Sequence, residues 1–180
     1  MKHRSLTSLV GGILIGALAM FVGLAQAGKL APEQPEAVVA LAQLLDAEHR
    51  RVDLLLDEDD IAGAIAALEA LREQPWPTRQ EGGDVALQLR HDAYGRLLRL
   101  RLDHPDIDPR PADVLLQIAD EGLGEDAEEI DVNPFTARLT AMRGEILELL
   151  DRDDDALTAY EEALEMNRVL LERELAGGNP

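Results

Sequence analysis

Cysteine is absent from this 180-residue chain, which excludes a disulfide framework, a thiolate metal site, a cysteine nucleophile and a lipid-modified cysteine. Aromatic residues make up 3%, so any core must be built from aliphatic side chains. Basic residues are scarce, 17 Lys+Arg against 36 Asp+Glu, a formal charge of -19. Nucleic acid and anionic lipid attract basic surfaces, so neither is an expected partner. No segment alternates with the period of two, or the β-branched enrichment, of a strand. Catalytic signatures are missing as well. There is no G-x-S-x-G and no glycine loop to cradle a phosphate, and His49, His91 and His104 lie in different elements without the H-E-x-x-H spacing of a zinc site. Acidic residues are too abundant for any one carboxylate pair to stand out as catalytic. The expectation is a non-enzymatic protein with no cofactor and no metal.

At the N-terminus the chain is not acidic at all. Lys2, His3 and Arg4 precede the uncharged run LVGGILIGALAMFVGL, and Ala25-Gln26-Ala27 follows with small-x-small spacing. This is the pattern of an export signal at 1–27 cleaved after Ala27, which leaves one domain at 28–180 in the periplasm or another extracytoplasmic space. The alternative is an uncleaved anchor, since residues 5–28 carry no charge and are long enough to span a bilayer. No membrane association is expected unless that segment is retained.

The remainder reads as six helices. Pro35 opens the first, carrying Val38, Leu41, Leu45, Val52 and Leu55 at helical spacing to about Leu56. The acidic run 57–60 caps a second, from about Asp60 to Glu73, with Ile61, Ile65, Leu68 and Leu71 on one face. Pro75-Trp76-Pro77 stops it, and a linker continues through Gly82-Gly83. Asp84 is read as the cap of a third helix with Val85, Leu89, Leu97 and Leu98 inside, ending near Leu102. A proline-rich loop leads to a fourth, from Pro111 to Gly122, burying Val114, Leu115, Ile118 and Ala119. After an acidic loop, Asn133-Pro134 starts a fifth, with Phe135, Leu139, Met142, Ile146 and Leu149 or Leu150 inward. The sixth runs from about Asp153 to Leu175. The expected fold is all-α, three antiparallel helical hairpins, each of which must stack on its neighbour to bury its apolar face.

Within the last hairpin, Gly144 and Ala156-x-x-x-Tyr160-x-x-Ala163 set small residues where two helices cross, with one aromatic between them. On these residues 134–167 resemble a tetratricopeptide repeat, a 34-residue helix–turn–helix unit. Thr140, Arg143 and Arg168 depart from the family pattern. The first hairpin, 42–75, is similar more loosely, with Gly63, Ala67 and Ala70 set against Ala156, Tyr160 and Ala163, an offset of 93 residues (163 − 70). The resemblance implies an α-solenoid that binds a peptide or helix of another envelope protein along its first helices. It further implies that Arg138, Ala141, Glu145 and Glu148 line that groove.

Three other features have two readings each. Asp151, Asp153, Asp155 and Glu162 mimic a calcium loop, although Ala156 stands where the loop needs glycine; they equally make an acidic interhelix turn. On the calcium reading the chain is an acidic envelope protein that binds calcium or a small ligand. Arg90, Arg96, Arg99 and Arg101 on helix three either pair with neighbouring carboxylates or form a face for a partner's anionic group. Trp76 either plugs the end of the first hairpin or is an exposed anchor.

Overall fold

The computed structural model describes residues 34–124 and 132–177. The expected signal at 1–27 and the acidic loop at 125–131 lie outside them. Among the described residues the chain forms six α-helices and no strand: α1 (Pro35–Asp57), α2 (Ile61–Arg72), α3 (Arg79–Asp103), α4 (Ala112–Leu123), α5 (Pro134–Glu148) and α6 (Asp153–Gly177). None of these helices is long and apolar enough to cross a membrane.

Side chains written into the sequence cap three of the six helix starts. Asp60 accepts a hydrogen bond from the Gly63 N–H at 2.9 Å, and Asn133 Oδ1 accepts from the N–H groups of Phe135 and Thr136 at 3.0 and 2.9 Å. The third start differs from the expected one at Asp84. Thr78 and Glu81 form a reciprocal capping box, the Glu81 N–H donating to Thr78 Oγ1 at 3.3 Å and the Thr78 N–H to Glu81 Oε2 at 3.0 Å. This box starts α3 five residues before Asp84, and Gly83, at φ 64° and ψ -170°, breaks the helix after one turn. The two glycines are a bend within the element, not a linker before it.

The turns of the first and last pairs are the same turn. Asp59 and Asp151 adopt left-handed φ of 62° and 55°, a region that Asp tolerates better than most non-glycine residues. After each, the next N–H reaches back five residues, Asp60 to Leu55 O at 2.8 Å and Arg152 to Leu147 O at 3.0 Å. The two turns therefore register the hairpins at 92 residues (151 − 59), not 93. At that offset buried Ala64 and Ala67 match buried Ala156 and Ala159, and Leu68 matches Tyr160. The alignment of Gly63 with Ala156 was one residue out of phase.

Neighbours in sequence pack together, and beyond that α1 touches α3 and α3 touches α5. One core runs from Leu41 on α1 to Ile146 on α5, and a smaller cluster of Leu147, Ala156 and Ala159 joins α5 to α6. Two core assignments change. Because α3 is surrounded by α1, α2, α4 and α5, it buries Ala86, Leu87, Gln88, His91 and Arg101 as well as Leu97 and Leu98, while Val85 and Leu89 are half-buried. On α5 the helix ends at Glu148, so Leu149 is 61% exposed and Leu150 half-buried; Leu147, which faces α6, is buried in their place.

Candidate partner-binding face

Where α1, α3 and α5 lie side by side, a row of ionisable groups crosses both seams. Asp92, Arg96, Arg99 and Asp103 follow one another on α3 at intervals of four, three and four, and so share one side of the helix. On α1, His49 and Asp53 are four apart and reach them: Asp53 pairs with Arg96, and His49 Nδ1 stands 3.7 Å from Asp92 Oδ2. On α5, Arg138 pairs with Asp92, and Glu145 accepts from Arg99 Nη2 at 2.6 Å. Burial holds His49 below the ordinary imidazole range, Asp92 opposing that shift. Its Nε2 is buried with no hydrogen-bond partner, which further disfavours the doubly protonated ring. His49 is thus neutral at neutral pH, and the remaining pairs are exposed or half-buried, worth roughly 0–1 kcal/mol each.

Of the residues expected to line a groove, Arg138 and Glu145 lie at the α3 edge, with half-buried Ala141 between them. The Arg138 guanidinium also sits 5.8 Å over the Phe135 ring. Glu148 lies apart from these two, turned toward α6, where it accepts from the Tyr160 hydroxyl at 2.9 Å. His49, Asp53, Asp92 and Asp103 carry no expectation from the sequence of joining this face, whereas Arg96 and Arg99 were expected either to pair with carboxylates or to face a partner, and both pair. The resemblance implied groove residues on α5 alone, because its specific match covers 134–167. The alternating charges of α3 at helical spacing were the available signal.

The Gly144 and Tyr160 pair closes the α5–α6 crossing. A Cβ on Gly144 would lie 2.8 Å from Tyr160 Cε1, and Ala156 and Ala163 are buried beside it. Burial, with Glu148 accepting from the hydroxyl, pushes the Tyr160 phenol up to about 12. The middle pair has the same device with the partners exchanged. Tyr94 lies on α3 against Gly122 on α4, whose Cβ would meet Tyr94 Cδ1 at 2.7 Å, and the Tyr94 hydroxyl donates to Glu121 at 2.5 Å.

The arginines of α3 are taken up in pairing. Arg96 and Arg99 belong to the row above. Arg101, 2% exposed, donates to Glu69 at 2.6 Å and to Asp108 at 2.9 Å, tying α2 and the α3–α4 loop to α3. Burial alone would raise the Glu69 carboxyl, but hydrogen bonds from Arg72 and Arg101 outweigh it and hold the group below its usual range. Arg90 donates to the Glu121 and Gly122 carbonyls at 2.8 and 3.0 Å, a cation at the C-terminus of α4. Trp76 is half-buried, its Nε1 donating to Arg72 O at 3.3 Å and its ring 6.3 Å from that of Tyr94, so it plugs the end of the first pair. His91, fully buried, donates from Nε2 to the Leu123 carbonyl at 3.3 Å, and its Nδ1 accepts from the Thr136 hydroxyl at 2.7 Å. Burial lowers its pKa to about 4.

Of the acidic stretch 151–155, Asp151 lies in the turn between α5 and α6, and Asp153, Asp154 and Asp155 form the first turn of α6. Asp155 is held by Arg152 at 2.6 Å, and no group of three or more His, Asp or Glu among the described residues is placed to hold a metal ion. In comparisons with known proteins, no family model, no curated protein and no solved structure matches this chain.

Proposed function

We propose that this chain is a non-enzymatic adaptor of tetratricopeptide-repeat design, exported from the cytoplasm, whose α1–α3–α5 face holds a peptide or helix of another envelope protein. In this reading the three sequential helix pairs are repeats, the first helices form the binding surface and the second helices brace it from behind. The observation that carries it is the charge row across α1, α3 and α5. Its pairs are exposed enough that opening one costs about 1 kcal/mol or less, so a partner's charged groups can replace the internal ones at little loss. A surface already holding both signs suits a segment that itself carries both, docked in one register.

The test is capture from envelope extract with the wild-type domain and two variants. Arg138→Glu with Glu145→Lys inverts the face, and Glu162→Lys changes an exposed charge on α6. The expected result is a partner retained by wild type and Glu162→Lys, weakened by added salt, and lost from the face variant. Equal capture by all three would remove the face from the account. Export is checked separately by intact mass, with a chain beginning at Gly28 expected from the envelope fraction.

A further inference from the structure

In the first two pairs the second helix has two helical neighbours: α2 lies against α1 and α3, and α4 against α3 and α5. Among the described residues α6 lies against α5 alone. It meets α5 through buried Ala156, Ala159 and Ala163. About 110° further round the helix, at about 100° per residue, runs a second apolar line. Leu157, Leu164, Leu171 and Leu175 are spaced seven, seven and four, which gathers them within about 40° of one another. They are exposed by 58, 65, 60 and 69%. Single exposed leucines are ordinary, but four in line beside a packed edge mark a surface to be covered.

We infer that this line is the seam of a two-fold, antiparallel pairing of α6 with α6 of a second copy of this chain. The charges beside the leucines identify the occupant. With Leu164 on the two-fold axis, Leu157 meets Leu171 of the second copy and Leu164 meets its own equivalent. Arg168 lies four residues after the axis and Glu161 three before it, on the same side of the seam, so each Arg168 comes within one residue, about 1.5 Å of rise, of Glu161 of the other copy. Within its own chain Arg168 is held by Glu165 at 2.8 Å, and both side chains are more than 60% exposed, a pair of little worth that leaves the guanidinium able to turn. A parallel two-fold pairing would put each flanking residue on the opposite edge of the seam from its equivalent, setting Arg168 beside Asn167 of the other copy and leaving it without a carboxylate at its level. A basic partner helix would answer Glu161, Glu165 and Glu172 but confront Arg168 with its own sign. An antiparallel second copy answers Arg168 with Glu161 and meets Leu157, Leu164 and Leu171 with leucine, while Leu175 at the end of the helix comes level with Asp153. This surface is separate from the α1–α3–α5 face, and the inference stands whether or not that face binds a peptide.

Light-scattering mass of the purified protein reads the outcome. Wild type is expected at twice the chain mass, and Leu164→Glu at once the chain mass with unchanged helical circular dichroism. Arg168→Glu should raise the dissociation constant about tenfold or more, having removed two pairs and opposed like charges, and the double exchange Glu161→Arg with Arg168→Glu should restore it. Because the chain has no cysteine, Leu164→Cys should give a disulfide-linked dimer on mild oxidation, whereas Leu54→Cys, at a 65% exposed leucine on α1, should not. A wild-type protein that stays a single chain at all concentrations overturns the inference, including one that is monomeric but binds a basic helix. So does a Leu164→Glu variant that keeps the doubled mass.

Discussion

Replacing three helical glycines by alanine, one at a time, probes how closely the helices approach. The backbone effect is the same at each site: alanine is favoured over glycine in a helix interior by about 1 kcal/mol. The surroundings differ. At Gly95 the nearest atoms to a new Cβ are Arg138 Nε at 3.4 Å and Nη2 at 3.8 Å, ordinary contacts with a mobile side chain. Gly95→Ala should therefore stabilise by up to about 1 kcal/mol, a rise in Tm of roughly 2–4 °C for a chain of this size. At Gly144 the new methyl would lie 2.8, 2.9 and 3.1 Å from three carbons of the Tyr160 ring. Overpacking of this kind costs about 1–3 kcal/mol, so Gly144→Ala should lose roughly 0–2 kcal/mol net, and Gly144→Leu more. At Gly122 the clash includes Tyr94 Cβ at 2.8 Å, which ring rotation cannot relieve, and Tyr94 is itself fixed by Glu121. Gly122→Ala should be the worst of the three alanine variants, with a net loss of about 2 kcal/mol. Urea and thermal denaturation followed by circular dichroism give the ranking. Tyr160→Leu in the Gly144→Ala background should recover part of the loss, as a coupling of about 1 kcal/mol in a double-mutant cycle. If Gly144→Ala stabilises as much as Gly95→Ala, the α5–α6 crossing is not closed by Tyr160 and the reasoning fails.

Further outcomes concern buried charge and the binding face. His91 has a folded pKa of about 4 against 6.5 for the free side chain, so the unfolded chain takes up the proton first. Its contribution is intact above about pH 6.5 and falls by about 3 kcal/mol as pH drops to 4; urea midpoints against pH should show that slope, and His91→Gln should flatten it. Arg101→Ala should destabilise by about 3 kcal/mol in urea, and Arg101→Met by less, because Glu69 and Asp108 are each about one-quarter exposed and can rehydrate while the methionine fills the space. Arg138→Ala should change stability by less than about 1 kcal/mol, which urea denaturation measures; a larger loss would make its pair with Asp92 a structural element and not an exchangeable one.

The all-helical fold was legible because Asp60 and Asn133 cap their helices and the aliphatic spacing on α1, α2 and α4 matches one buried side. Legibility failed where a helix is packed on all sides. α3 buries residues on all sides, including His91 and Arg101, so no single apolar stripe exists to be read. Its start was hidden because Gly82-Gly83 reads as a linker and so masks the Thr78–Glu81 box that precedes it. Gly144 and Tyr160 could be paired from sequence because they fit a repeat pattern. Their counterparts Tyr94 and Gly122 could not, since the aromatic and the glycine have exchanged helices. On the candidate face, the resemblance supplied α5 residues only. The partners of Arg138 and Glu145 lie 46 residues away in each case, and no local pattern announces such a pairing.

Within one chain and among the described residues, the central place of α3, which touches α1, α2, α4 and α5 while α6 reaches only α5, sets an order of loosening. Opening α6 breaks one interhelical interface, and opening α3 breaks four, so amide protons in the middle of α3 should be the last to exchange with deuterated solvent and those toward the end of α6 among the first. The chain can fray at its margins while its middle stays shut, a gradient of protection that follows from connectivity alone.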